Sequence, residues 1–329
     1  MSIRSLPKAE LHLHLEGAAP PAFIAGLARE KNIDIGGIFD AQGRYAYRNF
    51  VDFLRVYEAA CTTLTSPRDF YRLTRAVLEE SAAHGVIYSE CFLSPDFCGG
   101  GDLAAWREYL AAIREAAEEA RANDGIVLRG VVTCIRHFGP EQSRRIAHCA
   151  AETAGDWLTG FGMGGDEGQY SASDFTWAFD AAREAGLRLT SHAGEWGGPE
   201  SVRETLDHLR VERVGHGVRA HEDPDLLHRI ADEGVMLEVC PGSNVALGLY
   251  PDLAHHPIDR LREAGVAVSV STDDPPFFHT DMTAEYEGLC RHRGWSEDDI
   301  AATTRAALDA AFCPDDIRQS LIRKLEPET

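Results

Sequence analysis

Residues 9–17 read AELHLHLEG, an alternating apolar run that carries histidines at positions 12 and 14. In a strand, side chains two apart point to the same face. His12 and His14 then stand side by side, with Leu11, Leu13 and Leu15 on the opposite face. Two imidazoles on one buried face cost free energy unless something satisfies them. A metal ion does so, since neutral imidazole is a common zinc ligand. A pair of hydrogen-bonded core histidines does so as well, and the rest of the chain has to choose between them.

Outward from this stretch, strand-like runs recur at 86–93, 127–136, 158–164, 187–192, 213–217, 235–240 and 266–272. With 9–16 they make eight. Helical patterns rich in Ala, Arg and Glu separate most of them, at 104–123, 175–185, 200–209, 224–233 and 257–264. Several open on Ser, Asp or Pro and close near Gly, as Ser173-Asp174 and Gly186 do around 175–185; these are helix start and stop signals. Strand–helix alternation implies right-handed βαβ units and a parallel sheet, and eight strands match a closed (β/α)8 TIM barrel. A doubly wound open sheet is the competitor, but no GxGxxG follows the first strand. The expectation is one α/β barrel domain over 1–329, with extra helices at 296–325.

Between the first two strands lie about seventy residues, more than a simple barrel needs. They hold a helix near 20–31, a polar stretch near 36–48 and the aromatic run FVDFLRVY at 50–57. Long insertions after a barrel strand cover the mouth of the site. Residues 18–84 are therefore expected to form a lid in part, with Phe53, Leu54 and Tyr57 closing over an apolar ligand or anchoring the insertion on the barrel.

Polar residues gather at strand ends. Ser191-His192-Ala193-Gly194-Glu195 follows the fifth strand, Gly215-His216-Gly217 the sixth, and Ser271-Thr272-Asp273-Asp274 the eighth. In a barrel these ends converge on the catalytic face. His12, His14, His192 and Asp273 make a first shell suited to zinc, and Glu195, His216 and Asp274 surround it as acid/base candidates. The only lysines are Lys8, Lys31 and Lys324, none near a middle strand end, and the fourth strand carries no ligand type. One metal per chain is expected rather than two.

Of the 329 residues, 44% are hydrophobic and 26% charged, with 32 basic against 53 acidic residues and a net charge of −21. That balance argues against nucleic acid or an anionic membrane as partner. No apolar run reaches transmembrane length, and MSIRSLPKAE lacks the apolar core of a signal peptide. The eight cysteines form no CxxC pair and several lie in apolar runs, so a reduced, cytoplasmic protein is expected. Oligomeric state is not encoded legibly.

Five ordered motifs, LPKAELHLHLEGA, SHAGE, RVGHGVR, LEVCPGSN and STDDPP, together resemble the adenosine/adenine deaminase family of the amidohydrolase superfamily. The resemblance runs from Leu6 past Pro276. It implies a (β/α)8 barrel with one zinc held by His12, His14, His192 and Asp273. It implies further that Glu195 protonates purine N1, that His216 orients the metal-bound water and takes its proton, and that Asp274 accepts a hydrogen bond from the purine. Gly165 would give its N–H to N3. Those types suit the chemistry, because attack at C6 dearomatises the ring, so N1 must gain a proton as hydroxide adds. The unrelated H-x-E…P-C-x-x-C zinc deaminases are excluded, since His14-Leu15-Glu16 has no P-C-x-x-C counterpart here.

Two departures bear on substrate. Glu16 stands where adenosine deaminases of this family carry an Asp that contacts the ribose 5′-hydroxyl, and relatives acting on free adenine or modified nucleosides carry Glu. The fourth strand also lacks the Asp found there in adenosine deaminases. Against this, Gly165-Asp166-Glu167 is similar to the nucleoside enzymes. The expectation is a small-molecule purine substrate, adenosine first, with adenine and 6-aminodeoxyfutalosine as alternatives. A non-catalytic binding member is disfavoured because every ligand and acid position is filled. An amidase or phosphotriesterase has no use for a ring-nitrogen acid at Glu195. The remaining histidines, including His255-His256 as a turn into a helix, are expected to be structural.

Overall fold

The first strand and the last segment of the sheet meet edge to edge, and that seam places the site. The computed structural model describes residues 2–326. Its strands are β1 (Lys8–His14), β2 (Val86–Leu93), β3 (Val127–Ile135), β4 (Leu158–Gly164), β5 (Arg188–Ala193), β6 (Arg213–His216), β7 (Met236–Val239) and β8 (Val268–Val270). They are hydrogen-bonded in chain order, each parallel to the next. A parallel bridge between Leu13 and Asp273 closes the sheet. This is a (β/α)8 TIM barrel, α/β in class.

The helices are α1 (Pro21–Lys31), α2 (Phe50–Cys61), α3 (Pro67–Ala83), α4 (Leu103–Asp124), α5 (Pro140–Ala151), α6 (Thr176–Glu184), α7 (Pro199–Glu204), α8 (Pro224–Asp232), α9 (Pro241–Ala246), α10 (Ile258–Glu263), α11 (Pro275–Phe278), α12 (Met282–Arg293), α13 (Glu297–Ala310) and α14 (Asp315–Ile322). Many begin with Pro at the first turn, where its missing N–H costs nothing. The longest, α4, starts on the Asp102 carboxylate, which accepts from Ala105 N–H, and ends at left-handed Gly125. The run expected as one helix over 200–209 is α7 followed by a π turn, Thr205–Leu209. Among the described residues no helix is long and apolar enough to cross a membrane.

The pairing of β1 with β2 is irregular at two places, one of them between Lys8 and Ala9. A register shift lies between Glu10 and Leu13, and the N–H groups of Leu11 and His12 both donate to Ser271 Oγ at 3.2 Å. Such a bulge re-aims side chains. His12 stays beside His14, ring centroids 5.4 Å apart, but Leu11 leaves the face of Leu13 and Leu15. It packs instead with Ala9, Tyr88, Met236 and Leu308 around the strand starts.

The C-terminal segment does more than pack outside. Helix α13 lies against β8 and β1, but the break before α14 turns Phe312 against Phe92 and Val131. Its N–H donates to Glu90 Oε1 at 2.5 Å, and the Arg213 guanidinium lies 3.4 Å over its ring. Glycines in β4 make the space. A Cβ at Gly160 would stand 2.9 Å from Phe312, and one at Gly164 would stand 3.2 Å from His192. The strand offers no ligand because it yields its volume to the plug below and to the imidazoles above.

Of the insertion, α3 packs on α4 as a wall helix, so only the part before it reaches over the mouth. There α2, capped by the Asn49 side chain, presents Phe53, Leu54 and Tyr57 to the cavity. Phe53 also packs on Phe277 and Phe278 after β8, ring centroids 5.5 and 5.3 Å away. Roofing and anchoring are thus done by one helix.

Candidate active site

The strand ends bring the expected polar set together. His12 Nε2 and His14 Nε2 lie 3.4 and 3.3 Å from Asp273 Oδ1, and His14 Nε2 lies 3.2 Å from His192 Nε2. One ligand atom from each of His12, His14, His192 and Asp273 falls within 4.8 Å of every other. His216 and Asp273 both hold left-handed backbone, φ 58° and 66°. Residues other than Gly adopt that conformation only where the surroundings impose it, commonly at functional sites.

The donor set fits a divalent cation. His12 Nε2 is buried without a hydrogen-bond partner. His14 Nε2 and His192 Nε2 face each other at 3.2 Å, and two ring nitrogens aimed at one point can both turn a lone pair to a shared cation. Burial and neighbouring histidines push His192 well below its ordinary pKa, and burial lowers His14, which leaves both free to ligate. Burial opposes charge on His12, yet Asp273 and Glu238 raise it to about 9. A field that draws a proton so strongly also draws a metal. Burial likewise opposes charge on Asp273, but the adjoining imidazoles of His12 and His14 hold its carboxyl well below the usual range.

Behind the ligands lies a buried ionic chain that sequence reasoning missed. Glu238 Oε2 accepts from His12 Nδ1 at 2.9 Å, while its Oε1 accepts from Thr190 at 3.0 Å and lies 2.7 Å from Arg213 Nε. Arg213 in turn reaches Glu90 at 2.5 Å. Ser243 Oγ donates to Asp273 Oδ2 at 2.7 Å. The available signal was a charge inside an otherwise apolar run, Glu238 in 235–240, since a fully buried carboxylate must be paired.

Glu195 is held from below. The Glu167 carboxylate accepts the N–H groups of Gly194 (2.5 Å), Glu195 (3.1 Å), Trp196 (2.7 Å) and Gly197 (2.8 Å), together with the Ser201 hydroxyl. Asp166 is spent on its own turn, accepting from Gly168 N–H and Gln169. Burial, then the charges of Asp273 and Glu167, pushes the Glu195 carboxyl well above the usual range. His216 Nε2 is 3.8 Å from Glu195 Oε2. Asp274 is also raised by burial and by Asp273, and its Oδ1 has no partner. A Cβ at Gly17 would fall on that Oδ1, so a larger residue there would displace the Asp274 carboxylate.

One cavity joins these groups. Phe50, Phe53, Leu54, Tyr57 and Phe97 line it with His14, His192, Glu195, His216, Asp273 and Asp274, and Gly165 and His137 form a wall. Gly165 has φ 96°, and a Cβ there would stand 2.7 Å from His137 Nδ1, so only glycine brings the main chain this close. Glu16 is not on the cavity wall. It is buried, with Ser94 N–H donating to Oε1 at 3.4 Å and Oε2 unpartnered, and burial raises it to about 7.

The profile of the adenosine deaminase family matches residues 7–327. An adenine deaminase of Rhizobium leguminosarum bv. trifolii (strain WSM2304) is 46% identical over 320 residues, 97% of this chain and 99% of that protein. The crystal structure of an adenine deaminase from Arthrobacter aurescens is 30% identical with a TM-score of 0.90, covering 98% of each chain. An amidohydrolase from Burkholderia ambifaria, solved with bound Zn, is 29% identical with a TM-score of 0.88 over 99% of this chain and 91% of that one.

Proposed function

The chain belongs to the adenosine deaminase family, hydrolases acting on C–N bonds, and from that premise we propose that it deaminates the free base adenine to hypoxanthine and ammonia. The observation that carries this reading is 46% identity, over 97% of the chain, to a protein named adenine deaminase. Adenosine, the first expectation from sequence, rested on the Gly165-Asp166-Glu167 segment. In the fold Glu167 holds the 194–197 loop and Asp166 caps its own turn, so neither speaks for a sugar.

In this reading His12, His14, His192 and Asp273 would hold one divalent ion, zinc by analogy with the bound Zn of the 29% identical relative. When bound, such an ion supplies a Lewis acid that makes water a competent nucleophile near neutral pH. Glu195, kept protonated by burial and adjacent charge, gives its proton to ring N1 as C6 is attacked. Asp274 offers its unpartnered Oδ1 to the ring, and the Gly165 main chain borders the opposite side. The aromatic roof from α2 excludes bulk water, which strengthens each of these interactions.

The test is ammonia release from adenine, adenosine and 6-aminodeoxyfutalosine compared side by side. Adenine should give the highest kcat/KM, by about a hundredfold or more. A preference for either nucleoside would overturn the substrate assignment, and release from none of the three would favour a non-catalytic member.

A further inference from the structure

Beyond the groups that face the cavity, a line of buried hydrogen bonds leads away from His216. It begins at the main chain. Ile258 N–H lies 3.3 Å from His256 Nδ1. A backbone N–H can only donate, so Nδ1 accepts, and a neutral His256 carries its proton on Nε2. Burial, followed by the charge of Arg293, drives the His256 pKa down to about 3, so the ring is neutral. Nε2 lies 3.1 Å from Asn244 Oδ1. That donation fixes which way the Asn244 amide points, and its Nδ2 then faces His216 Nδ1 at 3.3 Å. An amide NH2 donates, so the Nδ1 lone pair of His216 is taken.

We propose that Asn244 and His256 are positioning residues that hold His216 as its Nε2–H tautomer, so that His216 meets the reacting centre as a hydrogen-bond donor. Its Nε2 points toward Glu195 Oε2 at 3.8 Å and Asp273 Oδ2 at 4.0 Å. A protonated Nε2 has no lone pair to take a proton from water, unlike the role the family resemblance implied. It also cannot ligate, which separates His216 from the alternative grouping with Cys240 and Asp273 and leaves the three-histidine set for the metal. The fold supplies the relay from α9 and from the turn before α10, and both Asn244 and His256 are buried. What the donor serves rests on the deaminase reading. The tautomer does not.

The experiment is a two-bond 1H–15N correlation spectrum of the protein labelled with 15N-histidine, with His216 assigned through His216→Gln. The expected wild-type pattern is a protonated Nε2 and an unprotonated Nδ1 on His216. Asn244→Asp puts an acceptor against Nδ1 and should move the proton there, with kcat lowered about tenfold or more, KM within about twofold and metal content unchanged. His256→Gln, which can still donate to residue 244, should keep the wild-type pattern. A wild-type His216 protonated on Nδ1 overturns the proposal, and so does Asn244→Asp without a change in the ring signals. If Asn244→Asp does not fold, the wild-type spectrum alone decides. Failure of adenine turnover with the expected spectrum would count against the substrate assignment and leave the relay standing.

Discussion

Asp273 closes the barrel on Leu13, and the same seam carries the proposed metal ligands. Its N–H donates to the His12 carbonyl at 3.1 Å and its carbonyl accepts from His14 N–H at 3.0 Å. The carboxylate and two of the imidazoles therefore share one pair of main-chain hydrogen bonds. Such a centre is preorganised by the fold, and its weak points lie in the residues that orient the rings.

Glu238→Ala removes the acceptor for His12 Nδ1 and one partner of buried Arg213. Metal affinity, read by chelator competition, should fall about 10–100-fold. Stability in urea should fall by roughly 3 kcal/mol, because buried Arg213 loses one of its two carboxylate partners. Unchanged affinity would mean that His12 is oriented by something else.

Glu195→Gln keeps the shape of the site and removes the titrating proton. It should lower kcat by about 10²–10⁴-fold while metal content and melting temperature stay near wild type. A variant at wild-type rate would put the ring-nitrogen acid elsewhere.

Glu167→Ala strips four main-chain N–H groups of the carboxylate that gathers them. The loop bearing Glu195 loses its anchor. Stability should fall by about 2–4 kcal/mol, and kcat should drop with KM less affected. Glu167→Gln, which keeps one acceptor oxygen, should lie between the two. Equal kcat in all three proteins would separate this carboxylate from the positioning of Glu195.

Glu285, which does not line the cavity, gives a pH dependence of its own. It is buried, accepts from Gly242 N–H at 2.9 Å and Thr280 Oγ1 at 2.6 Å, and burial raises its pKa from 4.5 to about 7. Between those values the folded state binds more protons than the unfolded chain, so stability falls as pH rises. The contribution is fully present below 4.5 and lost on passing 7, and amounts to about 3 kcal/mol. Glu285→Gln should flatten that part of the stability curve in denaturant titrations at several pH values. The same slope in the variant would assign it to another group.

Much of the fold was legible because it is written locally. Apolar runs of strand length alternate with capped helical patterns, and His192, Glu195, His216 and Asp273 interrupt them just where strands end. What could not be read depends on partners distant in sequence. The bulge that turns Leu11 away exists because Ser271, 260 residues later, satisfies two N–H groups at once. His256, expected in a turn, is buried beside Asn244, which links it to His216. Glu167 suggested a nucleoside site from its neighbours in sequence, but its contacts are with a loop almost thirty residues on. Phe312, in a segment expected to lie outside, enters the barrel because Gly160 of β4 leaves it room.

The most direct measurement is metal content by elemental analysis of wild-type protein and His192→Ala, alongside circular dichroism to establish that both are folded. One zinc or similar divalent ion per wild-type chain, and none in the folded variant, is the result this arrangement of ligands predicts. A variant that keeps its full complement of metal, or a wild-type protein that releases ammonia from adenine with none bound, would contradict it.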